Sequence, residues 1–144
     1  MKQYAELSSQ HLLGHEAMDR DHRKFFEILN TVLAALDSSD LVLFGEGIER
    51  LRQCAQTHFE YEERLMRETG YDRSKAHAQA HHALISQLDA FGAAVARGLV
   101  VPGMGSFLFL YDWLILHIAE FDTPLANHVK AIGATEPPPR SRVA

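Results

Sequence analysis

Seven residues of this 144-residue chain combine types and spacings that could do chemistry: His22, His58, Glu62, His77, His81, His117 and Asp122. Neutral imidazoles and carboxylates are the donors that a pair of borderline transition metals takes. His58 with Glu62, and His77 with His81, are spaced i,i+4, which puts both members of each pair on one face of a helix. Interrupting an apolar seam with such groups costs about 1–3 kcal/mol for an unsatisfied polar group, and more for an unpaired charge. Six of the seven fall directly in apolar seams, so they need partners, and a shared buried metal centre supplies one to all of them.

Helices must position these groups. The apolar periodicity is helical nearly throughout, with no strand-like alternation of useful length. The first seam runs His22, Phe26, Leu29, Leu33, Leu36, and the second Phe44, Ile48, Leu51, Ala55, His58, Glu62, Leu65. The third runs His77, His81, Leu84, Leu88, Phe91, Val95, and the fourth Phe107, Leu110, Leu114, His117, Phe121. Heptad-like stripes of this kind pack near-parallel helices, and short connections make neighbours antiparallel. The expected fold class is all-α, an antiparallel up-down-up-down four-helix bundle. It divides into an N-terminal arm (1–18), the bundle (19–132) and a flexible Pro-rich tail (133–144).

Local signals mark the helix ends. Asp19 is a candidate N-cap for the first helix, Ser38 to Asp40 separate the first two, and Gly70 and Gly98 suit positions just past helix ends. Asp72 or Ser74 could cap the third helix, Pro102 to Ser106 lead into the fourth, and Gly45 and Gly47 weaken the opening turns of the second. In an antiparallel bundle the start of the first helix, end of the second, start of the third and end of the fourth share one end. The seven residues occupy those four places, so they lie at one level and face inward. Asp122, five residues beyond His117, is one step off the stripe. Pro124 lacks a backbone donor and its ring clashes with the Glu120 carbonyl, so a π-type turn, or a break capped by Thr123, would swing Asp122 inward.

Composition narrows the class. Apolar residues make up 47% of the chain, and a net charge of −5 without a basic cluster argues against nucleic-acid and anionic-membrane partners. The single cysteine, Cys54, excludes an internal disulfide and suits a reducing compartment. The first residues carry no export signal, and Phe107 to Phe121, interrupted by Asp112 and His117, is shorter than the ~20 residues of a membrane span. A soluble, cytoplasmic protein with no nucleic-acid and no membrane partner is the expectation. His11, His15, His82 and His128 break the pattern and read as surface or supporting groups, Glu60 and Glu63 as solvated, and Cys54 as a small hydrophobe.

The segments Asp19-Arg-Asp-His22, His58-Phe-Glu-Tyr-Glu62-Glu63-Arg-Leu-Met66, His77-Ala-Gln-Ala-His81 and His117-Ile-Ala-Glu-Phe-Asp122 together resemble the hemerythrin family, single-domain bacterial type, over roughly residues 12–131. The resemblance implies a non-haem di-iron site that binds dioxygen reversibly. It assigns His77, His81 and His117 to one iron and His22 and His58 to the other, with Glu62, Asp122 and an oxo or hydroxo group bridging both. By that count eleven of about twelve octahedral positions are filled, and the open one lies on the iron with two histidines. Phe25, Phe59, Trp113, Leu114 and Ile118 match apolar pocket positions of the family, with Leu114, one turn before His117, the best candidate for touching the open position. The N-terminal arm departs from the family pattern, carrying Leu12-Leu13-Gly14-His15 where a tryptophan is often found.

Two functions fit this reading. One is a carrier, store or buffer of dioxygen that is not an enzyme, working with an unknown electron-transfer or oxygen-receiving partner. The other uses the same site as an enzyme acting on peroxide or nitric oxide, or as a sensor of oxygen or iron. No acid or base beyond the seven stands out near the site in sequence, which favours the carrier. Ferritin-type chemistry needs Glu-x-x-His pairs, and the chain has none.

Overall fold

The computed structural model describes residues 11–133. Its helices are α1 (Glu16–Asp37), α2 (Leu41–Thr69), α3 (Ser74–Ala96), α4 (Met104–His117) and α5 (Thr123–Ala131), with a π turn (Ile118–Asp122) joining the last two. They form the antiparallel four-helix bundle, α4, the π turn and α5 together making the fourth rod. The tail residues from 134 onward and the arm up to residue 10 lie outside the described residues.

Helix ends follow local chemistry, with two corrections. α1 starts at Glu16, and its N-cap is His15, whose Nδ1 accepts the Met18 N–H at 3.3 Å. Asp19 instead sits inside the first turn and accepts the N–H groups of Leu13 (2.8 Å) and Gly14 (3.1 Å). That contact ties Leu13 and Gly14 to the first turn, and Lys130 of α5 donates to the carbonyl of Leu13, which is buried. Neither Asp72 nor Ser74 caps α3; the cap position is Arg73, which makes no side-chain cap bond. The other signals act as read. Asp40 accepts the Leu43 N–H at 3.0 Å, and Gly70 is left-handed (φ 65°) so that Tyr71 N–H returns to the Met66 carbonyl. At the start of α4, Ser106 Oγ accepts the Gly103 N–H at 3.2 Å.

α1 packs closely against α2 and α4, and α2 against α3, while α3 and α4 stand further apart. α3 accordingly buries little beyond His77, His81 and Leu88, whereas α1 buries eleven residues including Phe25, Phe26, Ile28 and Leu29. The fourth rod, Met104–Ala131, is continuous through the π turn. Among the described residues it is the one helical run long and apolar enough to cross a bilayer by length and composition. Length alone thus does not exclude a membrane span, while the inner face of the rod carries buried Ser106, His117 and Asp122 toward the other helices.

The glycines of α2 differ in purpose. A Cβ on Gly47 would meet Val32 Cγ2 of α1 at 2.8 Å, so Gly47 is where the two helices approach, whereas a Cβ on Gly45 would meet nothing within 4 Å. Val32 is fully buried and stiff at χ1, leaving no room to give. Gly47→Ala should destabilise the protein by about 1–3 kcal/mol through overpacking, and Gly45→Ala should stabilise it by about 0.5–1 kcal/mol through helix propensity. Denaturant unfolding of the two variants beside the parent checks the opposite signs.

Candidate metal centre

All seven residues singled out in the sequence come together, and all are buried. His22 sits early in α1, His58 and Glu62 in the second half of α2, His77 and His81 in the first turns of α3, and His117 at the end of α4. In an uninterrupted α-helix Asp122 would lie about 140° around from His117. The π turn removes that offset. Thr123 N–H bonds five residues back to the Ile118 carbonyl, which also accepts Thr123 Oγ1 at 2.9 Å, and Asp122 turns inward to 1% exposure. Pro124, with no N–H and a ring that crowds the preceding turn, enforces the wider register.

The donor atoms fall into two overlapping groups. Glu62, His77, His81, His117 and Asp122 form one, His22, His58, Glu62 and Asp122 the other, with the atoms of each within 4.8 Å of one another. Each carboxylate is shared oxygen by oxygen. Glu62 Oε1 lies 2.9 Å from His81 Nε2 and 3.4 Å from His77 Nε2, while its Oε2 lies 3.1 Å from His58 Nε2. Asp122 Oδ1 lies 3.1 Å from both His77 Nε2 and His117 Nε2, and its Oδ2 lies 2.9 Å from His22 Nε2. Three buried atoms, His58 Nε2, Glu62 Oε2 and His117 Nε2, make no hydrogen bond despite such close neighbours. Buried imidazole nitrogens and carboxylate oxygens gathered this closely, some without a hydrogen-bond partner, are a donor set that fits metal ions.

Behind the donors stands a layer that sequence reasoning missed. His58 Nδ1–H donates to Asp21 Oδ2 at 2.8 Å, and His81 Nδ1–H donates to Glu63 Oε2 at 3.0 Å. Both bonds fix the ring and aim Nε2 inward. Glu63 thus supports a donor instead of merely facing solvent, and acidic groups beyond the seven do stand at the site. The signal available was adjacency, since Asp21 precedes His22 and Glu63 follows Glu62. Phe121, also overlooked, stacks on His117 with ring centroids 5.2 Å apart. The five apolar candidates, Phe25, Phe59, Trp113, Leu114 and Ile118, are all buried. Phe59 stacks on His81 at 3.9 Å, and Phe25 meets His58 edge to face at 5.5 Å. The remaining histidines divide. His15 is a buried cap, His128 Nε2–H donates to the Thr69 carbonyl at 2.9 Å, His11 stacks on Phe26, and His82 is exposed.

A match to the model of the hemerythrin HHE cation-binding domain spans residues 13–128. The chain belongs to the hemerythrin family. It is similar to a bacteriohemerythrin of Stenotrophomonas maltophilia, 30% identical over 119 residues that cover 83% of this chain and 77% of the relative. A bacteriohemerythrin of Clostridium acetobutylicum is 31% identical over 117 residues, 76% of this chain and 89% of the relative. A wild-type hemerythrin crystal structure superposes with a TM-score of 0.79 at 20% identity, over 86% of this chain and 96% of that one, a likeness of fold. Within this hemerythrin domain the buried His/Glu/Asp cluster is suited to a metal centre.

Protons occupy the cluster in competition with metal. Burial alone would lower the His58 pKa, but Glu62 and Asp21 outweigh it and raise it to about 10. Burial likewise works against His77, and Asp122 and Glu62 raise it to about 9. Against the opposing effect of burial, His58 holds Glu62 well below its ordinary value, and the Asp122 carboxyl is lowered by His117 and His22. For chelator-treated protein, the folded state therefore holds more protons than the unfolded one above the ordinary histidine pKa of about 6.5. Its unfolding free energy should fall as pH rises from about 7 toward 9–10, by about 1.4 kcal/mol per pH unit for each extra proton. It should also fall in acid as the carboxylates protonate, and chemical denaturation across pH reads both limbs.

Proposed function

We propose that this hemerythrin-family chain binds dioxygen reversibly, as a carrier, store or buffer, at a carboxylate-bridged di-iron centre. The observation that carries the reading is the division of carboxylate oxygens, Glu62 Oε1 and Asp122 Oδ1 toward the three-histidine group, Glu62 Oε2 and Asp122 Oδ2 toward the two-histidine group. A carboxylate shared in that way could hold two ions, one on each oxygen. Iron held by these residues would supply the redox chemistry that reversible dioxygen binding needs.

The chain's residues do the rest. His77, His81 and His117 with one oxygen from each carboxylate offer five donors, and His22 and His58 with the other oxygens offer four. If each ion took about six positions and the two shared one solvent-derived oxygen, the first group would be filled and the second would keep one position for a small ligand. Phe25, with ring centroids 5.5 Å from His58 and 6.3 Å from His22, packs against both rings, which are buried on that side. Phe59, Trp113, Leu114 and Ile118 complete the apolar surround, with Leu114 one helical turn from His117. Excluding water disfavours irreversible oxidation, which suits reversible binding better than turnover. A cytoplasmic setting, and a partner that receives oxygen or returns electrons, complete the proposal.

Loading with ferrous iron under anaerobic conditions, admitting oxygen and then removing it should give a visible charge-transfer band that appears and fades over repeated cycles, with two irons per chain. Irreversible oxidation, or consumption of an added reductant with each turnover, would replace the carrier reading with the enzymatic one. Glu62→Ala should abolish binding of both irons together. Asp21→Asn and Glu63→Gln should each weaken iron retention about 10–100-fold against a competing chelator.

A further inference from the structure

Where α3 and α4 stand apart, an open cavity of about 400 Å³ lies between them. Small residues on α3, Ala80 and Ala83, leave the gap, and the indole of Trp113 spans it, donating Nε1–H to the Leu84 carbonyl at 3.3 Å. Along α4 and the π turn the lining is aromatic, Phe109, Trp113 and Phe121, with Leu116 exposed at the rim. Two carboxylates border it, Asp112 and Glu120, both exposed, and no lysine or arginine lines it. Among the described residues neither carboxylate has an ion-pair partner.

Aromatic faces carry negative quadrupole density, and they attract an organic cation most when carboxylates stand beside them. The concavity falls in the size range of small-molecule sites. We propose that the α3–α4 groove binds a small amphipathic organic cation, an aromatic or alkyl body with an ammonium head, its body against Trp113 and Phe109 and its head toward Asp112 and Glu120. The site is separate from the donor cluster but backs onto it. His117 lines the groove, and Phe121 covers the ring on which it stacks. An occupant therefore lies against the outer side of one donor.

Trp113 is the only tryptophan in the chain, so its fluorescence reports the groove directly, in chelator-treated protein as well as iron-loaded protein. Benzyltrimethylammonium should change Trp113 emission saturably, with about tenfold weaker binding for benzyl alcohol and weaker still for phenylacetate. The double variant Asp112→Asn, Glu120→Gln should lose about tenfold in affinity for the cation and leave benzyl alcohol unchanged. Ligand-observed saturation-transfer NMR repeats the comparison without relying on emission. Equal affinity for the three probes, preference for the anion, or no saturation by either readout up to the probe's solubility would overturn the proposal. Because metal-free protein suffices, such a failure would leave the oxygen-binding reading untouched.

Discussion

Two carboxylates with almost no solvent exposure, Glu62 and Asp122, set the terms for the rest of this molecule. A bare carboxylate in a protein interior is among the most expensive groups to bury, and it persists only when fully partnered. Here each is surrounded by imidazole nitrogens drawn from different helices, at 2.9–3.4 Å. That requirement fixes the relative heights of the four rods, since α1, α2, α3 and α4 must all deliver a histidine to the same level. It also makes the cluster a competitor for protons, with His58 raised to about 10 by Glu62 and Asp21 against the effect of burial, so any metal must displace protons to enter.

The same constraint explains the local irregularities. Asp122 can reach the cluster only because the fourth rod widens by one residue between Ile118 and Asp122, and Thr123 and Pro124 hold it there. π turns of this kind recur where a side chain must be re-aimed at a functional site. Asp21 and Glu63 belong to the same logic, since an imidazole whose far nitrogen is anchored presents its near nitrogen without rotational loss. Asp19 extends it outward by tying the arm at Leu13 and Gly14 to the first turn of α1.

Much of this was legible in the chain because few patterns compete with it. Histidines embedded at heptad positions, with helix directions that bring them to one end, leave little freedom, and His117 with Pro124 announces a break in register from the residue order alone. What stayed hidden depends on tertiary contact. Nothing in the residue order says that Asp21 turns to His58 rather than serving its neighbour His22, or that Glu63 folds over His81 of the next helix. The cap expected for α1 failed for a similar reason, since Asp19 satisfies the local rules for a cap and is taken instead by Leu13 and Gly14, leaving His15 to cap the helix. The gap between α3 and α4 was equally invisible. The third stripe reads as continuous from Leu84 to Val95, yet only Leu88 of that stretch is fully buried, because packing distance is set by the whole bundle.

The claim most exposed to contradiction is that Glu62 and Asp122 each bind two ions at once. Diffraction from iron-loaded crystals at the iron absorption edge tests it directly. The account predicts two anomalous peaks roughly 3.5–4 Å apart, one beside His77, His81 and His117 and the other beside His22 and His58, with an oxygen of each carboxylate on either side. A single peak, or two peaks with Glu62 or Asp122 bound to only one of them, would contradict it.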